Sequence, residues 1–277
     1  MRSKTDEKDE KEEETATKPQ DKRDSLPDWL KAVKSVICQA TKTLVVPVHP
    51  AGWPFIAGFA IVSVLLALLS EFLGFAGLVL TLWCVYFFRD PVRVTPSREG
   101  LVISPADGIV QAIGKAELPA EIDSDGYEDD PLFKAKTLTR ISVFLNVFDV
   151  HVNRVPADGE VTQVLYHPGK FLNAALDKAS LENERATVVM KLAAKDSSIA
   201  FVQIAGLVAR RILCDAKKGT TYKAGERFGI IRFGSRMDIY LPPRSMPLVT
   251  VGQRMIGGET VLADLQSNET AREGEVR

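Results

Sequence analysis

Between Ala51 and Phe88 the chain carries a single charge, Glu71, and no other stretch constrains its fold as strongly. Glu71 divides AGWPFIAGFAIVSVLLALLS from FLGFAGLVLTLWCVYFF, uncharged apolar runs of 20 and 17 residues. At about 1.5 Å per residue in a helix, each approaches the length that crosses a bilayer. Together they predict a helical hairpin over 51–88, transmembrane or re-entrant, with almost no loop at its turn. Trp53, Trp83, Tyr86, Phe87 and Phe88 gather at one end of the pair, where interfacial aromatics belong. Lys31, Lys34 and Lys42 precede the pair and Arg89, Arg93 and Arg98 follow it, so the positive-inside rule places both flanks in the cytoplasm. The expected location is therefore the cell membrane, with the following domain facing the cytoplasm. A secretory signal is not expected, because the apolar stretch is too long and starts too far from the N-terminus. Two buried helices of a soluble core are the alternative reading.

The rest of the N-terminal region is polar. Residues 1–26 hold seven basic and nine acidic side chains and almost nothing apolar, which predicts a disordered charged tail. Residues 27–50 follow as an amphipathic segment and linker, with Trp29, Leu30, Val33, Val36, Ile37, Ala40 and Leu44 on one helical face. Next to an apolar hairpin, that basic helix reads as one lying on an anionic membrane surface. Over the whole chain 35 basic residues balance 36 acidic ones, so there is no excess of positive charge to favour nucleic acid. Three scattered cysteines, with no CxxC pair, argue against disulfides and zinc and fit a reducing compartment. Three histidines, none paired at ligand spacing, leave no metal site to propose.

From 89 to 277 the texture changes to short β-like runs punctuated by turns, which predicts an α+β, mainly β domain of barrel or sandwich character. Pro105-Ala106-Asp107-Gly108 recurs as Pro156-Ala157-Asp158-Gly159, each a turn leading into a strand. Turn chemistry alone accounts for both. The acidic stretch KAELPAEIDSDGYEDDPLFK reads as a surface excursion, and NAALDKASLENER as a helix with Leu172, Ala175, Leu176 and Ala179 on one face.

The segment ERFGIIRFGSRMDIYLP alternates polar and apolar residues like one half-buried strand, yet Gly234 interrupts it and precedes Ser235 in the only Gly-Ser pair of the chain. A glycine inside a strand marks a bulge or a close backbone approach. Ser235, His151 and one of Asp107, Asp149 or Asp158 could form a nucleophile, base and orienting carboxylate, although no G-x-S-x-G elbow is present. The Gly234-Ser235 bond suggests a different use of the hydroxyl. A serine after glycine can attack its own upstream carbonyl, and collapse through an ester with β-elimination would leave a pyruvoyl group made from the chain itself.

The segments YFFRDPVR, SPADGIV, FLNVFDVHVNR, YHPGKFLNAALDKASLENER, VQIAGLVARRI and RFGSRMDIYLP, together with flanking sequence from about 48 to 265, resemble the short membrane-associated bacterial phosphatidylserine decarboxylase proenzymes. The resemblance implies self-cleavage between Gly234 and Ser235 into β and α chains, with Ser235 becoming the N-terminal pyruvoyl cofactor. It implies condensation of a phosphatidylserine amine with that carbonyl as a Schiff base, loss of carbon dioxide, and release of phosphatidylethanolamine. His151 is then the expected proton donor and activator of Ser235, and Asp107 its acidic partner. Longer members carry a second histidine where Arg154 stands here, so Arg154 is expected to bind substrate phosphate or carboxylate. His167, Lys170, Asn173 and Arg185 are the other expected substrate contacts, and the fragments could assemble as a homo-oligomer. The rival readings are a membrane-tethered serine hydrolase or peptidase with Ser235 intact, a decarboxylase of archaetidylserine, and a lipoyl-type carrier, which lacks an evident lysine at a hairpin tip.

Overall fold

The computed structural model describes residues 46–174, 176, 179–207 and 211–275. The charged tail and the amphipathic face from Trp29 to Leu44 lie outside the described residues.

The apolar hairpin is two helices, α1 (Trp53–Ala67) and α2 (Glu71–Phe87), joined by a turn of residues 68–70. Small residues bring them together: a Cβ added to Gly74 would lie 2.5 Å from the Ala67 Cβ, and one at Gly77 2.6 Å from the Ser63 Oγ. The Ser63 and Thr81 hydroxyls meet at 3.0 Å across the same seam. The outer surface is apolar and open, with no residue of α1 buried and Leu68, Leu69 and Phe72 all more than three-quarters exposed at the tip. Pro50–Ala67 has the length and apolar composition to cross a bilayer, and Glu71–Phe87 is shorter.

The remainder is mainly β. Among the described residues thirteen strands run β1 (Leu101–Ile103), β2 (Gly108–Ala116), β3 (Leu138–Leu145), β4 (Val152–Arg154), β5 (Gly159–His167), β6 (Arg185–Leu192), β7 (Ser198–Ala205), β8 (Ile212–Cys214), β9 (Thr221–Tyr222), β10 (Arg227–Ile231), β11 (Ser235–Leu241), β12 (Arg254–Met255) and β13 (Val261–Asp264). An eight-stranded antiparallel sheet in the order β12-β2-β3-β11-β7-β6-β5-β9 curls into a half-barrel, accompanied by a β4-β10-β8 sheet and a β1-β13 pair. Val110, Ile141, Val143, Val161, Val188, Met190 and Phe201 are among the side chains that fill the enclosed face. Thus the expected α+β, mainly β domain behind a helical hairpin is what the chain builds.

The repeated Pro-Ala-Asp-Gly turns prove to be structurally related. Ile103 N–H donates to Pro156 O and Arg154 N–H to Pro105 O, both at 2.8 Å, so each turn receives a bond from the strand leading into the other. Bulges follow at matching places, between Val110 and Ala112 and between Val161 and Gln163, where the extra residue bends the sheet. Gly108 and Gly159 are required by close approach: a Cβ at either would fall 2.2 Å from a carbonyl oxygen of the neighbouring strand.

Four local expectations need correction. The stretch 226–242 is two strands in different sheets, β10 and β11, and residues 232–234 carry the chain between them. Strand β11 is buried on both faces rather than half-buried, because Arg236 bonds the Ala174 and Leu176 carbonyls and Asp238 accepts from Ser180, so its polar face is roofed rather than wet. Among the described residues the helix expected over 173–185 shrinks to Ala179–Glu182. There Asn183 bonds both the N–H and the C=O of Leu172, and such side-chain pairing competes with helix. Finally, the acidic excursion is only partly at the surface, since Leu118, Ile122 and Phe133 pack on buried Leu132, Leu138 and Val189 over the outer face of the sheet.

Candidate active site

The Gly234-Ser235 bond lies where the chain crosses from β10 into the middle of the large sheet. Phe233 and Gly234 both adopt left-handed backbone, with φ of 65° and 71°. Gly234 meets that demand without strain, whereas Phe233 does so against the preference of a side-chain-bearing residue, at about 1–2 kcal/mol. A Cβ at Gly234 would enter open space, so backbone conformation rather than crowding calls for glycine there. Ser235 then begins β11, paired with Leu145 on one side and Ala205 on the other. It is fully buried, and its Oγ has no hydrogen-bond partner. Gly206, just beyond β7, lets the scissile carbonyl in: a Cβ at 206 would lie 2.4 Å from the Gly234 oxygen.

His151 faces this bond. Its Nε2 accepts the Gly234 N–H at 3.2 Å, and its Nδ1 lies 3.0 Å from the Asp149 carbonyl oxygen. A carbonyl only accepts, so the Nδ1 carries the proton and Nε2 keeps its lone pair for the 234–235 segment. Burial is the main cause that lowers the His151 pKa to about 4, with Arg89 adding to the effect and the Asp149 carbonyl opposing it. The imidazole is therefore neutral at physiological pH and available as a base.

The carboxylates of Asp107 and Asp149 make their bonds elsewhere than at the His151 ring. Asp149 is fully buried; its carboxylate accepts the Asn146 N–H at 2.9 Å and pairs with Arg254, tying the 146–149 turn that delivers His151. Asp107 accepts from Arg93 at 2.7 Å and from the Gly257 N–H at 2.8 Å. Burial nonetheless raises its pKa, outweighing Arg93. Asp158, its counterpart in the repeated turn, similarly holds the Ala224 N–H at 2.8 Å and Lys223 at 3.0 Å, at the turn that leads into β5. The shared turn role accounts for both aspartates, and what sets Asp107 apart is its Arg93 partner beside the hairpin.

The segment YFFRDPVR clamps the hairpin to this centre. Phe87 lies against the His151 ring at 4.3 Å, tilted by 34°, and stacks on Phe233 at 4.7 Å, and Phe233 also meets Trp83, Phe55 and Phe88 within 6.3 Å. Arg89 donates to Phe148 O at 2.7 Å, Asp90 pairs with Arg154 and Arg227, and Arg93 holds Asp107. Phe87 and Phe88 are wholly buried, so they are not interfacial aromatics as their position suggested; Trp53 and Tyr86 remain exposed. No periodicity signal reveals this use, because contact with Phe233 arises across 146 positions of sequence.

The residues expected to meet substrate divide into two groups. Arg154 is buried, bonded to Gly225 O at 2.9 Å, Pro91 O at 2.8 Å and Asp90 at 3.3 Å. Arg185 is likewise buried in a bidentate pair with Glu121, both contacts at 2.7 Å. Their donors point into the protein and brace it. His167, Lys170 and Asn173 instead lie along the surface between β5 and Ala179–Glu182, with Lys170 pairing Glu182 at 3.0 Å. Phe171 beside them is 36% exposed.

Comparison with known proteins agrees over most of the length. The family model described as phosphatidylserine decarboxylase matches residues 80–263. A phosphatidylserine decarboxylase proenzyme of Cereibacter sphaeroides is 57% identical over 235 residues, covering 85% of this chain and 97% of that protein. One from Paramagnetospirillum magneticum is 55% identical over 246 residues, 89% of this chain and 98% of its own. A Rickettsia bellii proenzyme is 52% identical over 224 residues, 81% and 93%. With a glycine-serine bond facing a neutral histidine, and relatives of this identity along nearly their whole length, the chain belongs to the phosphatidylserine decarboxylase family.

Proposed function

We propose that this protein is a self-processing phosphatidylserine decarboxylase anchored by its hairpin in the membrane. The observation that carries the reading is the neutral Nε2 of His151 at the Gly234 N–H, beside a buried Ser235 hydroxyl with no other partner. Ser235 Oγ attacks the Gly234 carbonyl carbon; an ester C–O bond forms, the C–N bond breaks, and His151 carries the hydroxyl proton to the leaving amine. Loss of the Ser235 Cα proton then expels the Gly234 carboxylate and leaves an enamine, which tautomerises and gives a pyruvoyl carbonyl on adding water and releasing ammonia. The site suits that group: it sits at the buried start of β11, held between Leu145 and Ala205, with Gly206 leaving space on the carbonyl side. Once formed, the pyruvoyl supplies an electron sink for decarboxylation.

The chain's own residues then position the reaction. His151, fixed by the Asp149 carbonyl and shielded by Phe87, delivers a proton to the carbon that lost its carboxylate. The apolar surroundings disfavour the substrate carboxylate relative to neutral carbon dioxide. Asp107 orients the SPADG turn through Arg93 and Gly257. His167, Lys170 and Asn173 lie on the exposed segment where a headgroup approaches, while Arg154 and Arg185 stiffen the walls. The 17 residues of α2 reach about 25 Å, less than a hydrocarbon core of about 30 Å, and the turn of residues 68–70 sends the chain back, so the hairpin enters and leaves the membrane on one side.

Purified full-length protein is expected to resolve on a denaturing gel into fragments 1–234 and 235–277, the smaller with a blocked, hydrazine-reactive N-terminus. Washed membranes should release labelled carbon dioxide from carboxyl-labelled phosphatidylserine. Ser235→Ala should give a single uncut, inactive chain. An intact, hydrazine-inert wild-type chain, or cleavage persisting in Ser235→Ala, refutes the reading and favours a hydrolase that keeps its serine.

A further inference from the structure

Next to the scissile bond two arginines face each other without an acid. The register Ile231↔Ile212 places Arg232 directly opposite Arg211, and the Arg232 N–H donates to the Arg211 carbonyl at 3.3 Å. Like charges opposite one another on neighbouring strands destabilise a sheet. Among the described residues neither guanidinium has an ion-pair partner, although most other arginines of this domain do, such as Arg93, Arg154, Arg185 and Arg236. The Arg232 Nε is buried and makes no hydrogen bond. Burial, then the Arg211 charge, lowers the Arg232 pKa, with no acidic group opposing them. Arg232 is half-buried beside an exposed Arg211, and a partly desolvated cation facing a like charge is costly unless an anion joins it.

Its position says which anion. Arg232 is separated from Ser235 only by Phe233 and Gly234, and its Cζ stands 5.2 Å from the ring centre of Phe55 at the hairpin base. A molecule held here has one end at residue 235 and the other beside the apolar helices. In a serine phospholipid the phosphodiester follows the reacting amine by only Cα, Cβ and an ester oxygen, and the acyl chains begin just beyond it. A guanidinium fork matches two phosphate oxygens, and two forks make a clamp.

We infer that Arg211 and Arg232 bind the phosphodiester of the lipid substrate, orienting its serine headgroup toward residue 235 and its acyl chains along the hairpin. The inference rests on the decarboxylase reading above and adds a site to it. Arg154 and Arg185 spend their donors inside the protein, and the phosphate-binding cations stand one residue beyond the ends of β8 and β10 rather than on β4 and β6.

The test uses processed full-length enzyme and dihexanoyl-phosphatidylserine below its micelle concentration, so no lipid surface is present. Arg211→Gln and Arg232→Gln should each raise KM by roughly 10- to 100-fold with a smaller change in kcat, the loss of a charge-assisted hydrogen bond, and lysine at either position should restore part of it. Independently of activity, dihexanoyl-phosphatidylglycerol should protect both arginines from phenylglyoxal, read by mass on their peptides, at concentrations where inorganic phosphate does not. If Arg232→Gln fails to self-cleave, Arg211→Gln carries the test, since Arg211 touches the processing segment only through its backbone carbonyl. Wild-type KM in processed variants, or equal protection by free phosphate, overturns the inference. So does a defect confined to anionic vesicles, which would make the pair a membrane-surface contact. If wild-type enzyme itself released no carbon dioxide, the decarboxylase reading would fail instead, and the protection assay would still report on the clamp.

Discussion

Replacing Phe87 by leucine is expected to move the acid limb of self-processing without altering a reacting group. Phe87 is fully buried and lies over the His151 ring at 4.3 Å, so it supplies much of the apolar cover that keeps water from the imidazole. That cover lowers the His151 pKa from 6.5 to about 4, a difference worth about 3 kcal/mol in favour of the neutral form. If leucine restores half of the depression, the histidine titrates near 5.3, and at pH 5 its neutral fraction falls from about nine-tenths to about one-third. Processing at pH 5 should then slow about threefold relative to the native chain, while rates at pH 8, where both histidines are neutral, differ only by the altered packing. The ring also forms stacked or edge pairs worth about 0.5–1.5 kcal/mol each, so a modest drop in unfolding midpoint accompanies the change. The assay is the rate of appearance of the 235–277 fragment across pH 4–8, following synthesis in a cell-free system and transfer to each buffer. Coincident acid midpoints in the native and Phe87→Leu chains would refute the claim that the hairpin sets the histidine's charge. The linkage has a definite sign. The unfolded chain binds the His151 proton below pH 6.5 and the folded chain does so only near 4, so His151 lowers stability as pH falls through that interval.

Gly206→Ala should retard processing roughly ten- to a hundredfold, because its Cβ would stand 2.4 Å from the Gly234 oxygen and must displace the scissile carbonyl; a pulse-chase of precursor to fragments measures it, and native kinetics would show that the close approach is dispensable. Arg154→Gln should cost about 1–3 kcal/mol of stability by leaving the Gly225 and Pro91 carbonyls without their charged donor, since Asp90 keeps Arg227 at 2.6 Å, with KM for the lipid little changed in the protein that survives. A KM raised tenfold at an unchanged unfolding midpoint would return Arg154 to substrate binding.

How much of this was legible beforehand depended on how local the signal was. The hairpin was written in two apolar runs, and its close packing in Gly74 and Gly77 is a contact between neighbours in the chain. The Pro-Ala-Asp-Gly turns were legible for the same reason, although their mutual hydrogen bonds were not. Ser235, Gly234 and His151 were found as motif residues, and the structure brings them to one place. The substrate set fared differently, since an arginine's sequence context does not say whether its donors meet solvent or a buried carboxylate. Arg154 and Arg185 met Asp90 and Glu121, whereas Arg211 and Arg232, in segments quoted only for their likeness, face each other with no acidic partner among the described residues.

By itself, then, the sequence determined an apolar helical hairpin, a mainly β domain and a lone glycine-serine pair interrupting a strand pattern, because periodicity, charge and turn chemistry act over a few residues. Only the tertiary structure decided that 226–242 is two strands rather than one broken strand, that the polar face of β11 is roofed, and that Phe87 lies against the ring of His151. Those outcomes follow from which surfaces meet across the fold. Burial, and with it the charge on His151, belongs to the assembled environment and not to the residue.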